Sequence, residues 1–96
     1  MREYEVALVL SPQQSDEEQA GSIEKVKAFI TENGGEIIGE EDWGVRELAY
    51  PIKKQTHGRY YFIQFKASPQ VAYDLNTHLR LMRTFLRYMV VRRDEE

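Results

Sequence analysis

The stretch Arg59-Tyr60-Tyr61-Phe62-Ile63-Gln64-Phe65-Lys66-Ala67-Ser68-Pro69 decides the fold. Its first nine residues alternate. Tyr61, Ile63 and Phe65 fall on one face, and Tyr60, Phe62, Gln64 and Lys66 on the other. Strand side chains point to opposite faces with period two, so this is a strand. Ser68-Pro69 ends it and starts a helix, with a capping residue followed by proline at the first helical position. Ala72, Leu75, Leu79 and Met82 give that helix an apolar stripe. Beyond it, Leu86 to Arg92 alternates again, with Tyr88 and Val90 opposed to Met89 and Val91.

The same logic extends toward the start of the chain. Lys54-Gln55-Thr56-His57-Gly58 has the composition of a hairpin loop. Before it, a strand region runs from about Glu36 to Lys53, with a bulge or bend expected near Trp43-Gly44. Asn33-Gly34-Gly35 closes a helix, because glycine tolerates the left-handed conformation at a helix end. That helix starts at a capping-box candidate, Ser15 with Glu18, and Ala20, Ile23, Val26 and Ile30 recur at helical spacing. Tyr4 to Leu10 alternates as a first strand, with Ser11-Pro12 ending it.

The order is therefore β-α-β-β-α-β. This predicts an α+β, ferredoxin-like split βαβ fold: a four-stranded antiparallel sheet with two helices on one face. Residues 1–93 are expected to form one such domain, with Asp94-Glu95-Glu96 as a short acidic tail. The first and third strands should be central, and the sheet face away from the helices is left uncovered. That face should carry Ala7, Val9, Tyr60, Phe62, Met89 and Val91. A sheet face that meets water normally turns polar. This one stays apolar, which marks an interaction surface. Val9, Tyr60, Phe62, Met89 and Val91 are the candidate protein-partner residues.

Charge is segregated along the chain. Residues 1–45 hold three basic and eleven acidic residues, whereas residues 46–93 hold ten basic and two acidic ones. The net charge of −3 conceals a half-chain at +8. Local fields attract phosphates whatever the total charge, so the basic half is a candidate nucleic-acid surface. Arg46, Lys53, Lys54 and Arg59 lie along or beside the second hairpin. Arg80 and Arg83 end the second helix, and Arg87, Arg92 and Arg93 lie on or just past the last strand.

Catalysis finds no support. His57 and His78 stand alone, cysteine is absent, and no metal-ligand spacing or glycine-rich phosphate loop occurs. An acylphosphatase-like hydrolase on this fold would need an arginine–asparagine pair after the first strand. Ser11-Pro12-Gln13-Gln14-Ser15 holds neither residue. No cofactor, metal or small-molecule substrate is expected. The RNA-recognition signature also fits poorly: Tyr60, Phe62 and Phe65 match its aromatics, but Tyr61 fills a position that should be small. No apolar run approaches the roughly 20 residues a membrane span needs. The opening Met1-Arg2-Glu3-Tyr4-Glu5 runs straight into a strand pattern, so no signal peptide is expected.

Longer segments carry a resemblance. They are Met1-Arg2-Glu3-Tyr4-Glu5, Trp43-Gly44-Val45-Arg46-Glu47-Leu48-Ala49-Tyr50-Pro51-Ile52, His57-Gly58-Arg59-Tyr60 and Leu86-Arg87-Tyr88-Met89-Val90-Val91-Arg92. In these the chain resembles the bacterial small ribosomal subunit protein six family over about residues 1–93. The resemblance implies a ferredoxin-like fold and a non-catalytic place in the small subunit of the bacterial, cytoplasmic ribosome. It also implies contact with the central domain of small-subunit ribosomal RNA, made jointly with small-subunit ribosomal protein eighteen. By position, Arg2, Arg46, Lys53, Arg80, Arg87 and Arg92 are its basic residues; Lys54, Arg83 and Arg93 are RNA candidates from charge alone. The acidic first half is expected to face solvent, and the isolated chain to be a monomer. The competing expectation is a protein–protein module that homodimerises through the uncovered apolar face.

Overall fold

A computed structural model describes residues 1–93. Its elements are β1 (Arg2–Leu10), α1 (Asp16–Glu32), β2 (Glu36–Ile52), β3 (Gln55–Ala67), α2 (Pro69–Met82) and β4 (Phe85–Arg92). The strands form one antiparallel sheet in the order β2-β3-β1-β4. This is the expected ferredoxin-like arrangement, with β3 and β1 central. Tyr4, Val6, Leu8 and Leu10 of β1 pack with Ile63, Phe65 and Ala67 of β3 beneath Ile23, Val26 and Ile30 of α1 and Ala72, Leu75 and Leu79 of α2. Val6, Leu10, Ile63 and Phe65 are completely buried. Each such side chain contributes about 1.5–3 kcal/mol relative to exposure.

The helix ends form as their residues dictate. Ser15 Oγ accepts from the Glu18 N–H at 3.1 Å, and Glu18 Oε1 accepts from the Ser15 N–H at 2.8 Å. Two of the four orphan donors at the start of α1 are thereby satisfied. Gly34, at φ 86, closes that helix in the left-handed region. In α2, Ser68 Oγ accepts from the Val71 N–H at 3.4 Å. Arg83 takes the left-handed cap position at its end, with φ 58.

Four local features differ from expectation. First, Gln19, not Ala20, heads the buried stripe of α1; Ala20 is exposed. Positions 19, 23, 26 and 30 alternate steps of four and three, which keeps them on one face. Gln19 tolerates burial because its Nε2 donates to the Ser11 carbonyl at 3.0 Å and its Oε1 accepts from Arg59 Nη1 at 2.6 Å. Second, Met82 closes the α2 stripe only half-buried.

Third, the expected loop at 54–58 is a two-residue turn, Lys53-Lys54, with φ 49 and 67. Positive φ at both positions matches the twist of the flanking strands. His57 and Gly58 are therefore strand residues.

Fourth, β2 is continuous but irregular. The bulge expected at Trp43-Gly44 is present, with Gly44 at φ 75. A larger irregularity lies between the pairs Glu47–His57 and Ile52–Gln55. There β2 advances five residues while β3 advances two, so Leu48-Ala49-Tyr50-Pro51 carries the excess.

Candidate nucleic-acid and protein interface

The face of the sheet away from the helices is built from alternate residues. In register across the centre lie Val9 between Tyr60 and Arg87, and Ala7 between Phe62 and Met89. Val91 sits beside Glu5 further along β4. Ala7, Val9, Tyr60, Phe62, Arg87 and Met89 line a shallow apolar depression of about 180 Å³. Met89 is 48% exposed and Val91 39%, while Tyr60 and Phe62 are half-buried.

Val9 corrects the sequence expectation. It is 5% exposed and so is covered by its own chain. The cause is the excess in β2. Leu48 folds onto this corner and is itself buried. Gly58 makes room for both: a Cβ there would stand 2.4 Å from Val9 Cγ1 and 3.4 Å from Leu48 Cδ2. One corner of the face is therefore closed, and what remains open is the strip formed by Tyr60, Phe62, Met89 and Val91.

Trp43 and Tyr50 join this face unanticipated. The bulge turns Trp43 onto Phe62, with ring centroids 4.6 Å apart. Trp43 stays 50% exposed, and the Arg46 guanidinium lies 5.8 Å from its ring centre. Arg46 Nε also donates to the Trp43 carbonyl at 3.1 Å. Tyr50 reaches across from the β2 excess, and its hydroxyl accepts from Arg87 Nη1 at 3.3 Å. Arg46 and Arg87 thus flank an aromatic floor and hold their charges at its border.

The candidate RNA residues do not form one patch. Lys53, Lys54, Arg80 and Arg83 lie at the end of the sheet that carries the β2–β3 turn and the α2–β4 connection. Arg2, Arg92 and Arg93 lie at the opposite end, where the Arg93 N–H donates to the Glu3 carbonyl at 2.9 Å. Eight residue steps along β1 separate the two ends, about 26 Å at strand rise. All nine candidates are exposed.

Arg59 leaves the basic set. Its Nη2 and Nε donate to the two Asp42 carboxylate oxygens, at 2.6 and 3.2 Å, and its Nη1 donates to Gln19. The hydrogen bond from Arg59 holds Asp42 below the usual carboxylate range, and Asp42 raises the Arg59 guanidinium in turn. Glu40 is similarly occupied. Tyr61 donates to it at 2.6 Å and Lys27 at 3.2 Å, and both hold its pKa down, Tyr61 first. Burial, then the bond to Glu40, pushes the Tyr61 hydroxyl up to about 12. Two acidic residues of β2, Glu40 and Asp42, therefore belong to internal pairs on the α1 side of the molecule. His78 is also accounted for: it stacks on Phe29 with ring centroids 4.5 Å apart.

An apolar, aromatic sheet face bordered by arginines, with further cations at both sheet ends, suits binding and not turnover. Residues 3–92 match the family model for ribosomal protein S6. The chain belongs to the ribosomal protein S6 family. A small ribosomal subunit protein bS6 from Caldanaerobacter subterraneus subsp. tengcongensis is 44% identical over 95 residues, spanning 99% of this chain and 100% of that one. The corresponding protein of Aquifex aeolicus is 42% identical over 90 residues, covering 93% and 82% of the two chains. The crystal structure of 30S ribosomal protein S6 from Thermotoga maritima matches the fold with a TM-score of 0.90 at 33% identity, over 96% of this chain and 87% of that one. The family is one of structural ribosomal proteins of the bacterial small subunit, not enzymes. No helix among the described residues is long and apolar enough to cross a membrane.

Proposed function

We propose that this S6-family protein binds the central domain of small-subunit ribosomal RNA together with small-subunit ribosomal protein eighteen. One observation carries the reading: the sheet face is apolar at its centre, with Arg46 and Arg87 at its border beside the carboxylates Glu5 and Glu41. Tyr60, Phe62, Met89 and Val91, with Trp43, suit a protein partner that would remove them from water. Arg46 and Arg87 border them and would reach phosphates beside that partner. Lys53, Lys54, Arg80 and Arg83 at one end, and Arg2, Arg92 and Arg93 at the other, extend the contact along the RNA backbone. Such contacts position a protein on the RNA without reading its sequence.

Two separated basic groups explain why the partner is needed. Neither end alone neutralises many phosphates, and affinity follows the number neutralised. A partner seated between them adds its own contacts and fixes the register. The acidic α1–β2 side faces away from the RNA, and the isolated chain is a monomer.

The test is RNA binding measured with and without protein eighteen across a salt series. The expected result is weak binding by the chain alone, strong binding with the partner, and loss of affinity as salt rises. Full affinity in the absence of any partner would refute joint binding. A stable homodimer in sedimentation, buried through Tyr60 and Phe62, would favour the homodimer module instead.

A further inference from the structure

The strand order β2-β3-β1-β4 puts β2 and β4 at opposite edges of the sheet. Neighbouring strands lie about 4.8 Å apart, so those edges are about 14 Å apart. Yet Tyr50 of β2 meets Arg87 of β4, whose Nη1 donates to the tyrosine hydroxyl at 3.3 Å. The excess of β2 makes this possible. Leu48-Ala49-Tyr50-Pro51 carries the chain over the uncovered face, and Leu48 anchors it, buried at the corner it shares with Val9 and Gly58. Val9 is the residue paired with Arg87, so the anchor lies beside the arginine. Pro51 stiffens the crossing, because a proline biases the residue before it toward extended backbone.

The hold on Arg87 leaves its charge free. Arg87 is exposed, and among the described residues it is in no ion pair. The two carboxylates on this face are engaged elsewhere. Glu5 accepts from Gln64 Nε2 at 2.6 Å, and Glu41 accepts from Trp43 Nε1 at 3.0 Å. Tyr50 takes a donor on Nη1, so the Nε–Nη2 edge of the guanidinium stays open. Such an edge grips a phosphate through two parallel hydrogen bonds. Arg59 is the contrast: its Nε and Nη2 are both spent on Asp42. A neutral hydroxyl orients an arginine without cancelling it, as a carboxylate would.

We infer that Tyr50 is a positioning residue, which holds the Arg87 guanidinium at the border of the apolar strip with its Nε–Nη2 edge free for an RNA phosphate. The inference rests on the proposed RNA-binding function and deepens it. A long exposed side chain samples many rotamers, and ordering it on binding costs affinity. Tyr50 lowers that cost before the RNA arrives. The β2 excess thus has two linked tasks: Leu48 closes the corner, and Tyr50 sets the arginine next to it.

The experiment is a double-mutant cycle in the full chain, with RNA affinity measured in the presence of protein eighteen across a salt series. Tyr50→Phe should weaken RNA binding by roughly three- to tenfold at every salt concentration, the factor expected when one more long side chain must be ordered on binding. The charge remains, so the salt slope should remain with it. In the Arg87→Ala background Tyr50→Phe should have no further effect. The Arg87 Nε–H group should become more mobile in Tyr50→Phe, read by nitrogen relaxation, while the denaturant midpoint and the affinity for protein eighteen without RNA stay native. Unchanged RNA affinity or unchanged Arg87 relaxation in Tyr50→Phe would overturn the inference. An equal loss in the Arg87→Ala background would overturn it too, by making Tyr50 an RNA contact in its own right. Lost binding to protein eighteen alone would do the same, by placing Tyr50 in the protein interface. Arg87→Ala with native affinity and slope would take Arg87 off the RNA and overturn the inference, while the proposed function stands on the other cations. A native chain that binds no RNA with protein eighteen present would overturn the proposed function, and the inference with it.

Discussion

Gly58 and Val9 are so close that a Cβ on the glycine would stand 2.4 Å from Val9 Cγ1. The glycine is needed for space, because Leu48 must come down over Val9 to close a corner of the sheet. That closure leaves the partner surface as a strip instead of a whole face. Replacing Gly58 with alanine should destabilise the fold by about 1–3 kcal/mol, the usual cost of overpacking. Gly21, in exposed mid-α1 with nothing within 4 Å of its built Cβ, is the control. Gly21→Ala should stabilise by about 0.5–1 kcal/mol. Denaturant unfolding of the two variants checks both signs.

Arg59 should behave as a structural residue. Its guanidinium joins β3 to Asp42 on β2 and to Gln19 on α1. Arg59→Ala should cost about 1–2 kcal/mol of stability, since it removes hydrogen bonds to a charged group. RNA affinity, measured where the variant is fully folded, should keep its salt slope. Arg87→Ala should do the reverse, with near-native stability and a slope flatter by roughly one unit per lost phosphate contact.

The Tyr61–Glu40 bond gives the protein a pH signature at both extremes. Tyr61 holds its proton to about 12 in the fold. Between its ordinary value of 10.0 and about 12 the folded state binds more protons than the unfolded chain. The stability that burial of Tyr61, and then its bond to Glu40, links to this proton is therefore complete below pH 10 and is lost as pH rises toward 12. Glu40 has the opposite sign: its pKa is depressed, so its contribution is present above the ordinary 4.5 and is lost as pH falls through the folded value. Tyr61→Phe should flatten the alkaline loss and raise the Glu40 pKa, read by tyrosine absorbance and by carboxylate NMR. An unshifted Glu40 would show that Lys27 alone holds it.

Met89 tests the partner strip. It is 48% exposed, so Met89→Lys should change stability by no more than about 0.5 kcal/mol. The same change places a charge at the centre of the strip and should weaken association with protein eighteen by roughly tenfold or more. Calorimetric titration of the two proteins reads it directly.

The order of elements was legible because β3 alternates cleanly and both helices carry capping serines, Ser15 and Ser68. Local consistency of that kind makes a sequence readable. The burial of Val9 has a non-local cause. Alternation places it on the uncovered face correctly, but only the excess at Leu48-Ala49-Tyr50-Pro51 brings Leu48 over it. Arg59 looked like a free cation because its partners, Asp42 and Gln19, are 17 and 40 residues away. Gln19 is not legible as a core residue, because a polar side chain in an apolar stripe makes sense only with its two hydrogen bonds. The Lys53-Lys54 turn was hidden because such turns favour asparagine and glycine. The basic residues were found by counting, but counting along the chain cannot show that they divide between two ends of a sheet.

The most direct test of the central claim is residue-by-residue crosslinking in the assembled small subunit, read along β3 and β4. Probes at Tyr60, Phe62, Met89 and Val91 should capture protein eighteen. Probes at Arg46, Arg87 and the two basic ends should capture ribosomal RNA, and those on the outer side of α1 should capture neither. Crosslinks to RNA or protein along α1, with the Tyr60–Met89 strip left unreacted, would contradict the account.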